Sequence, residues 1–227
     1  MQNMTWKKHP WEAIYATDGR VFEEPFPGFD EVVRIFKQNR CKRILDLGCG
    51  SGRHSVHLAS EGFSVLGADI AQSGLKLADR WAHEAGLKLP FIQADTRVGL
   101  PFAAAAFDGV LSTQVIHHAL LAQIQRTIKG IQRILAPGGV AFITVASRKD
   151  EGIQFEEVEP GTLIPMTGSE AGLPHHIFDE EELRYEFRTF RILDLTSRAD
   201  GKVLAIWVRN PLLEKPDLSR DERKSGT

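Results

Sequence analysis

An α/β fold is expected for this chain: an open, mostly parallel twisted sheet with helices on both faces, ending in an antiparallel pair. From residue 43 onward, short apolar runs alternate with segments of helical period, the arrangement of strand–helix–strand units. These runs are apolar nearly throughout, as strands covered on both faces must be. Toward the end, two further apolar runs flank Asp200-Gly201, a preferred two-residue hairpin turn.

The expected strands of the parallel part are "RILDLG" (43–48), "SVLGAD" (64–69), "LPFIQAD" (89–95), "FDGVLSTQ" (107–114) and "GVAFITVAS" (139–147). Helices are expected between them. Segment 71–85 repeats Leu75, Ala78, Ala82 and Ala85 at intervals of three and four, and segment 119–135 does so with Leu121, Ile124, Ile128, Ile131 and Leu135. A third helix is expected over 178–187, where Asp179 and Glu182 have capping-box spacing and Phe178 and Leu183 that of a hydrophobic staple. "RILDLTSRA" and "KVLAIWVRN" form the closing antiparallel pair.

Two segments stand outside this alternation. Residues 1–40 carry Trp6, Trp11, Tyr15, Phe22, Phe26 and Phe29 ahead of a short helix near 30–39, and read as an aromatic-rich cover. Residues 148–178, with Pro160, Pro165 and Pro174, are too long for an ordinary strand-to-helix connection and read as an insertion on the substrate side of the 41–210 domain. The polar, proline-broken tail 211–227 is expected to be disordered.

Composition narrows the function classes. With 28 basic against 30 acidic side chains the net charge is −2, so no excess points to nucleic acid or to a membrane surface. Cys41 and Cys49 make neither a disulfide framework nor a metal-ligand spacing, which suits a reducing compartment. The opening "MQNMTWKKHPWEAIY" lacks the apolar core of a signal peptide, and no run approaches the roughly 20 apolar residues of a membrane span. A cytoplasmic protein, monomer or homodimer, without membrane or nucleic-acid partners is expected.

The chemistry concentrates in "LDLGCGSGRH" (45–54), which places Gly48, Gly50 and Gly52 at the carboxyl end of the first strand, where open α/β sheets bind ligands. Arg53 stands where a dinucleotide fingerprint requires Gly or Ala, and the Gly-Lys-Ser/Thr of a triphosphate loop is absent. Asp46 repels a pyrophosphate and attracts an ammonium; unit charges ~4 Å apart in a partly screened site interact by on the order of 4 kcal/mol before desolvation. Asp69 ends the second strand where a carboxylate accepts from ribose hydroxyls, and Asp95 ends the third where it can accept from an adenine amine. Ribose, adenine and a cationic amino-acid end together describe S-adenosylmethionine.

"ILDLGCGSGRHSVHLA", "VLGADIA", "FIQADTRVGLPFAAAAFDGVLSTQVIHH" and "IQRILAPGGVAFIT" resemble the successive motifs of the class I S-adenosylmethionine-dependent methyltransferases, over roughly residues 40–147. The resemblance implies a Rossmann-like sheet of seven strands and a methyl transfer that leaves S-adenosylhomocysteine. It also implies that Asp46, Gly48, Gly50 and Gly52 border the methionine part of the cofactor, Asp69 the ribose and Asp95 the adenine. Cys49, Ile70, Thr96 and Gln114, within the same motifs, complete the expected contacts, and Trp11 and Tyr15 offer aromatic faces to a sulfonium or amine. "GLPHHIFDEEELRYEF" is similar to a segment of small-molecule methyltransferases, including tellurite-resistance-like ones.

Methyl transfer needs alignment above all, and a base only where the nucleophile carries a proton. His117 and His118 are the candidate bases, and His175 and His176 the candidate substrate contacts. Adjacent histidines diverge in regular structure, so one of each pair is expected to be structural. His54 and His57 share a helix face without a third ligand at matching spacing; they read as packing, and no metal is expected. The acceptor is expected to be a small molecule, "STQVIHH" lacking the Asn/Asp-Pro-Pro-aromatic motif of amino-group DNA methyltransferases. The alternatives are a protein methyltransferase, a cofactor-binding regulatory module without turnover, and an NAD-dependent oxidoreductase, the last disfavoured by Arg53 and Asp46.

Overall fold

The computed structural model describes residues 9–149, 152–198 and 201–212. Helix α1 (Pro10–Asp18) begins with proline at its first position, where the missing N–H has no intrahelical partner to lose. Helix α2 (Phe29–Gln38) buries Phe29, Val32, Val33 and Phe36, one stripe at intervals of three and four. The units that follow are β1 (Arg43–Leu47), α3 (Arg53–Ser60), β2 (Ser64–Asp69), α4 (Gln72–Glu84), β3 (Phe91–Gln93), β4 (Phe107–Thr113), α5 (Leu121–Ile134) and β5 (Leu135–Ala146). After them come β6 (Phe155–Glu159), β7 (Thr162–Pro165), β8 (His175–His176), α6 (Glu180–Glu186), β9 (Arg191–Arg198) and β10 (Val203–Arg209).

Seven strands form one sheet in the order β3-β2-β1-β4-β5-β10-β9. The first five pair in parallel, and β10 runs antiparallel between β5 and β9. This is the expected Rossmann-like sheet. The strand order reverses between β1 and β4, so the crevice at their carboxyl ends is the topological switch point.

Strand side chains alternate between two cores. Ile44, Leu111, Phe142 and Trp207 face α2 and Leu58 of α3, whereas Leu45, Val110, Ile143 and Ile206 face Ile124, Ile128 and Ile131 of α5 and Leu183 of α6. Burial on both faces is why these strands read as unbroken apolar runs.

Several elements depart from expectation. Strand β3 covers only 91–93, being an edge strand that pairs with Gly67–Asp69 alone after Pro90, which has no N–H to give. Strand β5 starts at Leu135, which pairs with Phe107 across a bulge. The insertion 148–178 carries a second, antiparallel sheet, β6-β7-β8. At α6 the Asp179 carboxylate accepts from Glu182 N (2.8 Å), but Glu182 turns its own carboxylate to His176 (3.0 Å), so the capping box is half made. Val203 lies opposite Arg198, so four residues, 199–202, connect the final pair rather than two. Asp200, Trp6 and the tail from residue 213 lie outside the described residues. No described helix is long and apolar enough to cross a membrane.

Candidate active site

The glycine loop leaves β1 and is pinned to β2, Gly48 N and Cys49 N both donating to Ala68 O (2.7 and 3.1 Å). Gly50 has φ +54, and a Cβ there would collide with the Tyr15 hydroxyl, so the loop accepts α1 only with glycine at this position. Gly52 has a different task. With φ +96 it lets α3 start against α4, where a Cβ would lie 2.8 Å from Ala78 Cβ. Its place is at this helix contact rather than on the cavity wall, where its neighbours Ser51 and Arg53 lie.

Asp46 is buried beneath the loop, where its carboxylate accepts from Ser55 Oγ (2.6 Å). Desolvation raises its pKa to about 7 against the Ser55 hydrogen bond, and the Asp69 charge adds to the rise. It is absent from the cavity wall, so any attraction to an ammonium acts from below the loop rather than by contact.

Asp69 does face the cavity. Its two oxygens accept from Gly50 N (2.8 Å) and Ala71 N (2.7 Å), and burial pushes its pKa up while these hydrogen bonds hold it back. The carboxylate therefore fixes the loop and keeps lone pairs for hydroxyl donors. Asp95 also lines the cavity but is clasped by Arg97, which donates from its backbone N, Nε and Nη2 at 2.8–2.9 Å. An adenine amine would share this carboxylate with the guanidinium.

A cavity of about 780 Å³ opens at the carboxyl ends of β1, β2 and β4, within the roughly 300–1,000 Å³ of small-ligand sites. Gly48, Cys49, Ile70, Thr96 and Gln114 are on its wall. Gln114, a non-glycine residue at φ +57, is held there by Thr144, whose carbonyl and hydroxyl both accept from its backbone N (3.1 and 3.0 Å). Helix α1 contributes Trp11 and Tyr15, with ring centroids 5.4 Å apart. The helix is fastened by Glu12, which accepts from Ser73 N (3.1 Å) and Ser73 Oγ (2.6 Å) at the start of α4.

The other end of the cavity is lined by histidine. The His117 and His118 rings lie 4.1 Å apart, and His175 lies 4.6 Å from His118. Glu170 Oε1 is 3.8 Å from His118 Nε2, and its Oε2 is 3.6 Å from His175 Nε2. His117 and His118 both face inward because they sit in a turn, His118 N donating to Val115 O (3.0 Å), where strand alternation does not apply. His175 and His176 do alternate. His176 is fully buried between Thr162 Oγ1 (2.7 Å) and Glu182 Oε1 (3.0 Å), outside the cavity, and is not placed for the substrate contact expected of it.

Burial pushes His117 down to about 3, helped by the nearby His175 and His176, and drives His118 well below its usual value. Both imidazoles are neutral at neutral pH and weakly basic. His54 stacks on Phe29 (centroids 4.5 Å) and His57 faces Asp30 (3.9 Å), so these two pack rather than converge.

Residues 44–139 match the model of a family described as "Methyltransferase domain". This stretch, the part of the chain that holds the glycine loop, Asp69, Asp95 and His117–His118, is similar to a methyltransferase domain. The chain is 33% identical over 106 residues to the ubiquinone biosynthesis O-methyltransferase of Rhizobium johnstonii, a match covering 47% of this chain and 42% of that one. Over 141 residues it is 30% identical to an uncharacterized methyltransferase of Synechocystis sp., covering 60% and 63%. The chain thus spans less than half the length of the Rhizobium relative and under two thirds of the Synechocystis one. The 1,6-didemethyltoxoflavin-N1-methyltransferase of Burkholderia thailandensis, solved with S-adenosylhomocysteine, has the same fold: TM-score 0.68 at 18% identity, covering 89% of this chain and 88% of that one.

The methyltransferase match ends before the insertion, so Glu170 and His175 lie beyond it while His117 and His118 lie within. Sequence reasoning missed Glu12, Arg97 and Glu170. Arg97 had a signal, its spacing of two from Asp95; Glu12 and Glu170 had none, because their partners are distant in the chain.

Proposed function

We propose that this methyltransferase transfers a methyl group from S-adenosylmethionine to a small molecule, leaving S-adenosylhomocysteine. The observation that carries the reading is one continuous cavity running from the glycine loop and Asp69 to the histidines of the turn after β4 and of β8. The residues fit the cofactor: Asp69 retains acceptor capacity for ribose hydroxyls, and the loop backbone is bare of side chains at Gly48 and Gly50. When bound, the cofactor supplies an activated methyl, the acceptor–CH₃ bond forming as the S–CH₃ bond breaks and its electron pair returns to sulfur.

The chain's own part is alignment. Trp11 and Tyr15 offer aromatic faces to the cationic end, and Asp46 adds negative charge beneath the loop once it ionises, as pH rises through about 7. Ile70, Thr96 and Gln114 bound the nucleoside side together with the Asp95–Arg97 pair. Of the expected cover 1–40, residues 9–22 line the cavity and act as the cover while α2 packs into the core; 148–178 acts as the acceptor-side insertion, and His117, His118 and His175 meet the acceptor and stand where its proton leaves. Balanced charge supports a small-molecule acceptor over nucleic acid, and two unpaired cysteines suit the reducing environment of the cytoplasm.

Calorimetric titration with S-adenosylmethionine, S-adenosylhomocysteine and NAD tests the reading. The first two are expected to bind and NAD not to bind. Asp69→Ala should weaken binding by about 1–3 kcal/mol through lost hydrogen bonds to the ribose. Unchanged affinity in that variant would remove Asp69 from the site, and binding of NAD alone would remove the methyltransferase reading.

A further inference from the structure

Sequence spacing gives no metal motif, because two of the histidines are adjacent and the third lies far along the chain in the insertion. The fold brings them together: one ligand atom each of His117, His118 and His175 lie within 4.8 Å of one another. Glu170 reaches the same place from the loop between β7 and β8, its carboxylate 3.6 and 3.8 Å from two of the imidazoles. We propose that His117, His118, His175 and Glu170 bind a divalent first-row transition metal ion at the acceptor end of the cavity.

The chemistry of the donor set supports this. Three imidazoles with one carboxylate are a nitrogen-rich set suited to zinc, iron or nickel and poorly suited to magnesium or calcium. Metal–nitrogen bonds of about 2.0–2.1 Å at tetrahedral angles put neighbouring ligand atoms roughly 3.3 Å apart. The carboxylate–imidazole separations are close to that value, and the imidazoles need to close only modestly by side-chain rotation.

The surroundings agree. His117 Nδ1 is buried without a hydrogen-bond partner among the described residues, a costly state that a bound ion relieves. The turn carrying His117 and His118 is tied to β8 by His176 N donating to His117 O (2.8 Å), so the two chain segments hold their histidines in fixed relation. His176 itself is fixed by Thr162 and Glu182, which keeps His175, its neighbour on the strand, turned inward.

All four groups line the cavity, so an ion held by them faces the acceptor, and expansion beyond four ligands, open to zinc and common for iron and nickel, would give the acceptor its position. The consequence for the reaction rests on the methyl-transfer reading above. An acceptor hydroxyl bound to the ion loses its proton to solvent more readily, and its oxygen lone pair then forms the O–CH₃ bond as the S–CH₃ bond breaks toward sulfur. The site therefore favours acceptors with an ionisable hydroxyl. The weakly basic imidazoles need not take the proton.

The test uses the full chain without a histidine tag, stripped of metal by chelation and dialysis, and titrated with Co²⁺ and then Zn²⁺. One Co²⁺ per chain with visible ligand-field bands is expected, displaced by one Zn²⁺. His118→Gln and His175→Gln should each weaken Zn²⁺ binding by at least the roughly 10–100-fold that loss of an outer-shell partner costs. His83→Gln, on the exposed face of α4, should leave it unchanged. Circular dichroism checks that the variants are folded, and the wild-type Co²⁺ spectrum stands without any variant. Absence of Co²⁺ bands, or equal Zn²⁺ affinity in wild type and both cavity variants, overturns the site. A parallel titration with S-adenosylhomocysteine separates the two readings: its binding without metal removes the ion alone, and metal binding without it keeps the ion and removes methyl transfer.

Discussion

Asp46 joins stability to function. Its carboxyl titrates near 7 in the folded chain, against an ordinary value of 3.8, because burial outweighs the Ser55 hydrogen bond. With the folded pKa raised, the unfolded chain gives up this proton first, so stability from this group is present below about pH 4, declines as pH rises, and is fully lost above about pH 7. Asp46→Asn keeps an acceptor for Ser55 and removes the buried charge. The melting temperature of the variant relative to wild type should therefore be higher at about pH 8 than at about pH 4, by several degrees. A difference independent of pH would show that ionisation of Asp46 is not the cause. The sequence identified this carboxylate but not that its side chain points away from the cavity, since that depends on which neighbour lies above it.

Helix α1 shows how an element is held by a partner it never meets in sequence. The start of α4 has Ala71 at its N-cap and no side-chain cap of its own, and the Glu12 carboxylate from α1 accepts from the backbone N–H and the hydroxyl of Ser73 there. One contact caps α4 and fastens the cover across the glycine loop. Glu12→Ala should lower the hydrogen-exchange protection of the Ile14 and Tyr15 amides about tenfold, the equivalent of losing roughly 1.4 kcal/mol of capping interaction. Unaltered protection would mean that Tyr15 packing between Gly50 and Gly74 holds the cover by itself. The aromatic run marked residues 1–40 as a cover, and Pro10 with Trp11, Ile14 and Tyr15 at helical spacing carried a helix signal too. What fastens the helix was not legible, because Glu12 and Ser73 lie far apart in the chain.

For the whole molecule, the two cores make the sheet a rigid platform for a site at the carboxyl ends of its central strands. Phe36 joins α2 to the sheet, edge-on to Trp207 (5.4 Å) and to Phe63 (6.2 Å), and is fully buried. Phe36→Ala should cost about 3–5 kcal/mol, read as a lower urea midpoint at unchanged slope, with cofactor affinity of the folded fraction retained. A loss of affinity as large as the loss of stability would show that the α2 face shapes the cavity. The parallel strands, the helices between them, the terminal pair and the glycine loop followed from the sequence because each depends on local rules: apolar period, turn residues, and the conformations glycine allows. For the same reason Asp69 was placed at the ligand-facing end of β2, a position fixed by its strand. Only the tertiary structure turned His176 inward to Thr162 and Glu182, and brought Glu170 and His175 to His117 and His118. Those outcomes depend on how separate segments pack, and sequence spacing holds no distance between residues that meet only when the sheet has formed.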